Sequence, residues 1–353
     1  MATSKLRWAG VAAVVAMGLA ACTPASTSDA PTGGADAPPP AVEETTLNLV
    51  GFAVPKAANN AIQALWAETP DGAGVTWVES YGASGDQSRA VEAGLEADYV
   101  HFSLEGDVTR LVKAGLVDEN WNTGPTEGIV SSSLVVIAVR PGNPLGIEDW
   151  DDLIKPGVEI VTPNPGSSGA ARWNILAAWG YVTENGGSEQ DAIDFQTALF
   201  NNIVALPGSG RDATSTFLAG TGDVLLSYEN ETILARQQGE EIEYIVPSTT
   251  LRIDNPGAVL KNANPKAAKW LEFLFTPEAQ GEYAKLGFRP VIDGVEVGTV
   301  EGANDPSNPF PAPADKLLTI KGDFGGWSEA NPKFFDPDNG IITKIQVETG
   351  KSS

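Results

Sequence analysis

The sequence is poor in the side chains on which many enzymes and metal sites depend. Its 353 residues include one Cys, one His and two Met. A single Cys excludes an intramolecular disulfide framework and a zinc site built from several cysteines. A single His excludes a metal site built from several histidines, and it leaves His101 as the one candidate base for a Ser-His-Asp triad.

Basic residues are also scarce. The chain carries 22 Lys and Arg against 46 Asp and Glu, so its formal net charge is −24 at pH 7. Such a chain has no basic surplus with which to displace counterions, and this argues against nucleic acid as a partner. Hydrophobic residues make up 42% of the sequence, which is enough for a sizeable core and excludes disorder of the whole chain. The length favours about two domains.

The N-terminus has the form of an export signal. Residues 9–20 are small, apolar and uncharged, and they follow a basic start. This run is too short to cross a bilayer, which needs about 20 residues, but it fits a signal peptide. The following Leu19-Ala20-Ala21-Cys22 resembles the lipobox of bacterial lipoproteins. We predict a lipoprotein signal peptide over residues 1–21 and a lipidated Cys22; the alternative is an ordinary signal peptide with an incidental Cys.

Residues 22–46 are predicted to form a flexible tether after the lipidated Cys. They contain five Pro and almost no large apolar side chain, so they cannot bury a core. Cleavage before Cys22 removes Lys5 and Arg7 and makes the mature chain more acidic by two charges. No later stretch is long and apolar enough to span a membrane.

The body of the chain alternates between strand and helix patterns. Leu47–Phe52 and Val224–Tyr228 are short apolar runs typical of strands, and Ser131–Val139 is a longer run typical of a buried strand. Residues 56–67 and 169–182 place apolar side chains at helical spacing. This alternation predicts an α/β fold with mainly parallel sheets.

Small residues recur in three segments where a strand ends and a helix begins. These glycine loops comprise residues 81–87, 164–171 and 207–213. A helix N-terminus has unpaired N–H groups and the positive end of a dipole, and Gly, Ala and Ser allow an anion to approach it. Ordinary helix capping explains any one loop. All three together, at the carboxyl ends of strands, favour an anion site.

Three other interpretations of these residues are weaker. The third loop matches G-x-G-x-x-A of dinucleotide folds, but a lone match has low specificity. Ser84 lies in Gly-x-Ser-Gly, which is not the nucleophile elbow of hydrolases. His101 follows a strand pattern and is expected to be a packed or surface residue rather than a base.

Several motifs resemble the sulfate-binding proteins of bacterial ABC importers. The similar runs lie in collinear order over most of residues 47–347, and they are 95–100, 147–157, 162–174, 222–231 and 324–327. The resemblance implies a two-lobed periplasmic-binding-protein fold of type II, with the ligand cleft between lobes joined by two crossover strands. These crossovers are expected near Ser131–Val136 and Ile245–Thr249.

The same resemblance implies how the chain divides into lobes. The first lobe is expected to be discontinuous, formed by residues 47–131 and, with the C-terminal tail, by residues 248–353. Residues 132–247 are expected to form the second lobe.

The resemblance also assigns ligand positions. In that family sulfate is held without counter-charges, by backbone N–H groups, Ser hydroxyls and an indole N–H. The matching residues here are Ala53, Ser84, Ser168, Gly169, Ala170, Gly210 and Tyr228. The Ala53 match is loose, and the hydroxyls of Ser84 and Ser168 are both expected to donate. Arg172 and Arg211 are expected to polarise the loops from behind, with surface ion pairing as the alternative for each.

Three differences from the family bear on the choice of ligand. Tyr228 stands where the family has the indole, so the donor would be a phenol that can also accept. Asp86 and Asp212 lie in glycine loops where the family usually has Lys and Gly. Either carboxylate in the cleft would suit a protonated oxyanion such as phosphate.

The expected function is therefore that of an extracytoplasmic sulfate-binding protein, anchored to the membrane by lipid alone. It would be a monomer that delivers sulfate to an ABC permease and its ATPase, with no metal, cofactor or catalytic residue. Thiosulfate, phosphate or molybdate are alternative ligands. A hydrolase or transferase of phosphate or sulfate esters, using Ser84 or Ser168 as nucleophile, is the alternative from another class.

Overall fold

A computed structural model describes residues 44–351, in which strands and helices alternate. The strands are β1 (Thr45–Phe52), β2 (Val75–Gly82), β3 (Tyr99–His101), β4 (Ile129–Val139), β5 (Ile160–Val161), β6 (Ile203–Ala205), β7 (Val224–Tyr228), β8 (Glu243–Ile245), β9 (Thr249–Val259) and β10 (Lys316–Leu318). The helices are α1 (Lys56–Ala67), α2 (Ser84–Glu92), α3 (Glu105–Lys113), α4 (Gly169–Glu184), α5 (Glu189–Asn202), α6 (Gly210–Leu218), α7 (Glu229–Gln237), α8 (Pro265–Leu274), α9 (Pro277–Lys285), α10 (Ile320–Phe324), α11 (Trp327–Phe335) and α12 (Ile341–Glu348). A 3₁₀ turn spans Trp150–Ile154.

The strands form one curled sheet with two parallel halves. Its order is β2-β1-β3-β9-β4-β7-β5-β6, with β10 on β9 and β8 on β4. In one half β1 pairs in parallel with β2 and β3, and in the other β5 pairs in parallel with β6 and β7. The expected α/β architecture is therefore present, and helices connect the strands within each half.

Two long antiparallel strands join the halves. The first part of β4, Ile129–Leu134, pairs with β9, while its second part, Val135–Val139, pairs with β7. The last part of β9, Gly257–Val259, pairs with β3 in the other half. The predicted crossover near Ser131–Val136 lies within β4. The second crossing strand begins at Thr249 rather than Ile245, because residues 243–245 form β8 at the side of β4.

The start of β1 corrects the predicted end of the tether. Thr45 and Thr46, which were assigned to the tether, belong to β1 and pair with Val75 and Thr76 of β2. The signal peptide, Cys22 and the tether up to residue 43 lie outside the described residues. Within residues 44–351 no helix is long and apolar enough to cross a bilayer.

The C-terminal residues form helices that the Gly- and Pro-rich sequence did not reveal. α11 and α12 pack against α4 and α5, with the rings of Trp327 and Trp173 centred 4.7 Å apart and those of Phe334 and Trp179 4.8 Å apart. α4 is consequently covered on most sides, and eleven of its residues are buried. This packing fixes α4, whose first residues reach the cavity described below. The division into lobes at residues 131 and 247 stays a prediction.

Candidate functional site

The carboxyl ends of strands from both halves of the sheet meet at a small cavity. The space open to the centre of a water-sized sphere is only about 10 Å³, far below the roughly 300–1,000 Å³ of sites for drug-sized ligands. No ionisable side chain lines it. The lining residues are Phe52, Ala53, Val54, Gly82, Ala83, Ser84, Ser103, Ser168, Gly169, Ala170, Ser209 and Gly210. The size favours a small ion, and the polarity favours recognition by neutral groups.

Three helices begin at this cavity. Their first residues are Ser84 of α2, Gly169 of α4 and Gly210 of α6. The N–H groups of these residues and of Ala170 have no hydrogen-bond acceptor within residues 44–351. They therefore present unpaired donors together with the positive ends of three helix dipoles. The structure brings the three glycine loops to one point, as the sequence predicted.

Ser168 precedes α4 and contributes a hydroxyl group. Its backbone is extended, as at a helix N-cap, but its side chain makes no capping hydrogen bond. The hydroxyl lines the cavity and has no hydrogen-bond partner in the described part of the chain. Its position agrees with the predicted role as a donor.

Gly169 is a place of close contact between the two halves. A Cβ atom there would lie 2.5 Å from Oγ of Ser103 and 2.8 Å from Cγ of Leu104. Only Gly, which has no Cβ atom, leaves room for this contact. The contact holds the first residue of α4 against the residues that follow β3.

Ser84 takes part differently from the prediction. Its hydroxyl donates to Oδ2 of Asp107 at 2.6 Å and accepts from the Ser103 N–H at 2.9 Å. A hydroxyl has one proton to donate, so this proton is unavailable to a ligand. Ser84 can offer its backbone N–H instead, and the expected hydroxyl donor is corrected to a backbone donor.

Asp107 lies behind Ser84 and does not line the cavity. The side chain is buried, with 6% of the residue exposed. Burial raises the pKa of its carboxyl group above the ordinary value, and the hydrogen bond from Ser84 and the charge of Arg172 oppose this rise. The Asp107 carboxyl group therefore accepts one hydrogen bond, from Ser84, and this residue, unlike Asp107, lines the cavity.

The donor expected at Ala53 belongs to the next residue. The Ala53 N–H donates to the Gly82 carbonyl at 3.0 Å, which extends the β1–β2 pairing by one bond. The Val54 N–H has no acceptor in the described chain, and Val54 lines the cavity. The candidate backbone donor after β1 is thus Val54, while Ala53 remains a lining residue.

Tyr228 lies behind the cavity wall. It is buried, with 1% exposed, and it is not among the lining residues. Its hydroxyl lies 2.8 Å from Oγ of Ser103, which does line the cavity. Ser103 is not among the ligand residues expected from the sequence. The signal that could have found it is its place directly after a strand, at the edge where the glycine loops lie.

Arg172 and Arg211 contact the loops and not the cavity. Nε of Arg172 donates to the Pro165 carbonyl in the second glycine loop, and Nη1 donates to Asn331 of α11. Nη2 of Arg211 donates to the Val54 carbonyl at 3.2 Å and to the buried Glu231 carboxylate at 2.7 Å. Arg211 thus bonds the carbonyl of a candidate donor residue, Val54, whereas Arg172 bonds the loop three residues before Ser168. The supporting role of both residues stays a prediction.

Asp86 and Asp212 also stay out of the cavity lining. The Asp86 side chain is 60% exposed and forms an ion pair with Arg89 on the same helix. Asp212 accepts hydrogen bonds through Oδ2 from the Ser209 hydroxyl at 2.7 Å. Neither carboxylate is placed to accept a proton from a ligand.

His101 is part of a separate buried network. Its ring nitrogens lie 3.2 Å from Oδ1 of Asn59 and 3.1 Å from Oγ of Ser131. Burial lowers the pKa of the imidazole to about 3. It makes no hydrogen bond to Ser84 or Ser168 in the described structure. Residues 44–351 contain no group of three or more His, Cys, Asp or Glu side chains that could hold a metal ion.

Comparisons with known proteins agree with this geometry. Residues 47–289 match the family model described as bacterial extracellular solute-binding protein. The chain is 42% identical to the sulfate-binding protein of Synechococcus elongatus, over 97% of this chain and 96% of that protein. It is 33% identical to the thiosulfate-binding protein of Escherichia coli, over 79% of this chain and 83% of that protein.

A solved structure shows the same fold. The sulfate-binding protein SubI from Mycobacterium tuberculosis is 43% identical, with a TM-score of 0.78, and covers 83% of this chain and 100% of its own. These relatives are named as binding proteins and not as enzymes. The chain therefore belongs to the sulfate-binding proteins within the family of bacterial extracellular solute-binding proteins.

Proposed function

We propose that this protein binds sulfate and delivers it to an ABC-type importer. The observation that carries the proposal is the neutral cavity at the start of three helices. Its candidate donors are the N–H groups of Val54, Ser84, Gly169, Ala170 and Gly210 and the hydroxyl of Ser168. The names of the relatives, most of which are sulfate-binding proteins, support sulfate as the ligand.

Donors alone suit a fully ionised oxyanion. Sulfate has no proton near neutral pH, so each oxygen can accept. Inorganic phosphate keeps at least one proton near neutral pH, because its last proton is lost only in strongly alkaline solution. That proton needs an acceptor, and Asp86 and Asp212 do not line the cavity. A buried donor left without an acceptor costs roughly 1–3 kcal/mol, which favours sulfate over phosphate.

The acidity of the chain makes short-range contacts decisive. A net charge of −24 repels a dianion at long range. Affinity must then come from hydrogen bonds to the charged ligand in a cavity that excludes most water, where each bond is stronger than in solution. The three helix N-termini supply donors without placing a cation in the cavity.

Calorimetric titration of ligand-stripped protein tests the proposal. Sulfate should bind most tightly among sulfate, thiosulfate, phosphate and molybdate, and phosphate should bind more weakly by a factor of ten or more, as about 1.4 kcal/mol implies. Thiosulfate is the second candidate, because two relatives are named as thiosulfate-binding proteins. Tight phosphate binding with no response to sulfate would contradict the proposal.

We also propose that the protein is not a hydrolase. The Ser84 hydroxyl donates to Asp107 and accepts from the Ser103 N–H, and no His is hydrogen-bonded to this pair in the described structure to complete a Ser-His-Asp relay. Ser168 has no hydrogen-bonded base in the described structure, and the His101 imidazole is engaged by Asn59 and Ser131. Incubation with aryl sulfate and phosphate esters should release no phenol; turnover lost in Ser168→Ala would contradict this part.

The location follows from the family and the N-terminal sequence. The protein acts outside the cytoplasm, as bacterial extracellular solute-binding proteins do. We propose further that Cys22 is the lipidated mature N-terminus, that the protein works as a monomer, and that its partners are the permease and its ATPase. Cys22→Ala should move the protein from the membrane fraction to the soluble fraction. Unchanged membrane association would disprove the lipid anchor.

A further inference from the structure

Ser103 is held in place by more contacts than the other residues that line the cavity wall. Its N–H donates to Oγ of Ser84, and its carbonyl accepts from Nε1 of Trp173 at 3.0 Å and from Nδ2 of Asn255 at 3.1 Å. Its hydroxyl lies 2.8 Å from the Tyr228 hydroxyl. The residue is buried, with 1% exposed. Both sides of its peptide and its side chain are therefore fixed, and its hydroxyl faces the start of α4 at Gly169.

Either hydroxyl can be the donor in the hydrogen bond between Ser103 and Tyr228. Each hydroxyl has one proton to donate and can also accept. If Tyr228 donates to Ser103, the Ser103 proton is available to the cavity. If Ser103 donates to Tyr228, a lone pair of Ser103 is available instead. An ionised oxyanion requires the first arrangement, because all its oxygens are acceptors.

The position of Tyr228 makes direct contact with the ligand unnecessary. It does not line the cavity, whereas Ser103 does. The ring centroid of Tyr228 lies 6.4 Å from that of Phe52, and Phe52 also lines the cavity whereas Tyr228 does not. The resemblance described above expected a single donor from Tyr228, and the structure offers two hydroxyls in series.

We propose that Ser103 donates its hydroxyl proton to the bound oxyanion and that Tyr228 acts through Ser103, as a positioning residue that donates to Oγ of Ser103. The inference rests on the proposed function. In this arrangement Ser103 contacts the ligand and Tyr228 does not.

A double-mutant cycle measured by titration with sulfate tests this arrangement. Ser103→Ala should weaken binding roughly tenfold or more, since it removes a donor to a charged acceptor. Tyr228→Phe should weaken it less, because Ser103 keeps its proton. The double variant Ser103→Ala/Tyr228→Phe should bind within about twofold of Ser103→Ala, since the tyrosine has nothing left to orient.

Ser133→Ala is the matched control. Ser133 is also a buried serine with one hydrogen bond, from the Asn230 N–H at 3.3 Å, and it does not line the cavity. It should bind sulfate like the wild type. Melting temperatures verify folding, and Ser103→Gly, which also lacks the hydroxyl, repeats the cycle if Ser103→Ala is unstable.

Three outcomes would overturn the inference. Wild-type affinity in both Ser103 variants would remove Ser103 from the site. Wild-type affinity in Tyr228→Phe would remove the positioning role of Tyr228, and a double variant whose loss equals the product of two single losses that each exceed about threefold would mean that Tyr228 reaches the ligand independently. Each of these results leaves the proposed function intact, whereas a wild-type protein that binds no oxyanion would remove the proposed function itself.

Discussion

Ser168 and Ser188 occupy the same position before two successive helices, but their hydroxyl groups have different environments. Ser188 is exposed and caps α5: its Oγ accepts from the Asp191 N–H at 3.2 Å and donates to Oδ2 of Asp191 at 2.6 Å. Ser168 is 3% exposed and makes no capping bond to α4. Buried polar groups are nearly always hydrogen-bonded. The Ser168 hydroxyl, which lines the cavity and has no partner in the described chain, is therefore a candidate contact for a ligand in the cavity.

Ser209, which precedes α6, shows that location at the cavity is not sufficient. It lines the cavity like Ser168, yet its Oγ accepts from the Asp212 N–H and donates to Oδ2 of Asp212. Among the three serines that precede α4, α5 and α6, only Ser168 keeps its hydroxyl available within residues 44–351. The sequence alone cannot separate them, because all three have the residue type that favours an N-cap.

The largest effect is expected where the two halves touch. Gly169→Ala would place a Cβ atom 2.5 Å from Oγ of Ser103 and 2.7 Å from its Cβ. Overpacking of this kind costs roughly 1–3 kcal/mol, and it displaces the N–H groups of Gly169 and Ala170 from the ligand as well. We expect sulfate affinity to fall roughly 100-fold, measured by calorimetry.

Gly281→Ala is the matched control for this change. Gly281 lies within α9, and a Cβ atom there would meet no atom within 4 Å. Replacing Gly by Ala in a helix stabilises it by roughly 0.5–1 kcal/mol, so this variant should melt later and bind normally. Equal affinity in the two variants would show that the contact at Gly169 does not control the cavity.

The next effect separates Ser168 from Ser188. Ser168→Ala removes a donor to a charged acceptor, worth roughly 1.5–3 kcal/mol, so sulfate should bind about tenfold more weakly or worse while the stability of the free protein changes little. Ser188→Ala removes a helix cap, so the free energy of unfolding should fall by about 1 kcal/mol while affinity stays unchanged. Titration and urea unfolding of both variants measure the two quantities. If affinity and stability changed in the same way in both variants, the proposed difference between Ser168 and Ser188 would be wrong.

A third prediction contrasts the cavity with the His101 network, where the imidazole is buried without charge. An unfolded His binds a proton near pH 6.5, whereas the folded pKa of His101 is about 3. Between these values the unfolded chain binds more protons, so stability falls as the pH drops below 6.5. At pH 5 the loss is about 2 kcal/mol, at 1.36 kcal/mol for each pH unit.

Urea unfolding at pH 7 and pH 5 measures this loss, and His101→Gln isolates it. The variant is less stable at pH 7, because the bonds to Asn59 and Ser131 change, but it should lose about 2 kcal/mol less than the wild type on acidification. Sulfate affinity should be equal at both pH values, because no ionisable side chain lines the cavity. An identical loss of stability on acidification in variant and wild type would mean that a group other than His101 causes it.

Local patterns predicted most elements, and non-local contacts explain the differences. The helix Lys56–Ala67 and the strand Val224–Tyr228 were predicted with the observed bounds, since periodicity and run length define them. The crossover expected near Ile245–Thr249 includes only the first residue of β9, and Asn255-Pro256-Gly257 interrupts the strand pattern further along. Pairing with β4 and β3 on either side of that segment holds it in one strand.

The site was predicted to the level of loops but not of individual donors. The glycine loops indicate where helices begin, and the start of a helix depends on local sequence. The Ala53 N–H is engaged by Gly82, nearly thirty residues away, and the Ser84 hydroxyl by Asp107. Such partners are chosen by the tertiary structure, so the shift from Ala53 to Val54 could not be predicted from one sequence.

The smallest effect is expected at Asp86, which lies near the cavity but does not line it. The carboxylate belongs to a helix that starts at the cavity, but it is 60% exposed and paired with Arg89. Charges in solvent are screened over about 8 Å at 0.15 M salt. Asp86→Asn should therefore tighten sulfate binding by less than about twofold at that ionic strength, and slightly more in dilute buffer, since it removes a negative charge. Sulfate affinity should not change between pH 5 and 8, because neither sulfate nor a residue that lines the cavity titrates in that range. A carboxylate that entered the cavity would instead repel sulfate and accept the proton of phosphate. In that case Asp86→Asn would strengthen sulfate binding many-fold and weaken phosphate binding, and competition titrations at several pH values distinguish the two results.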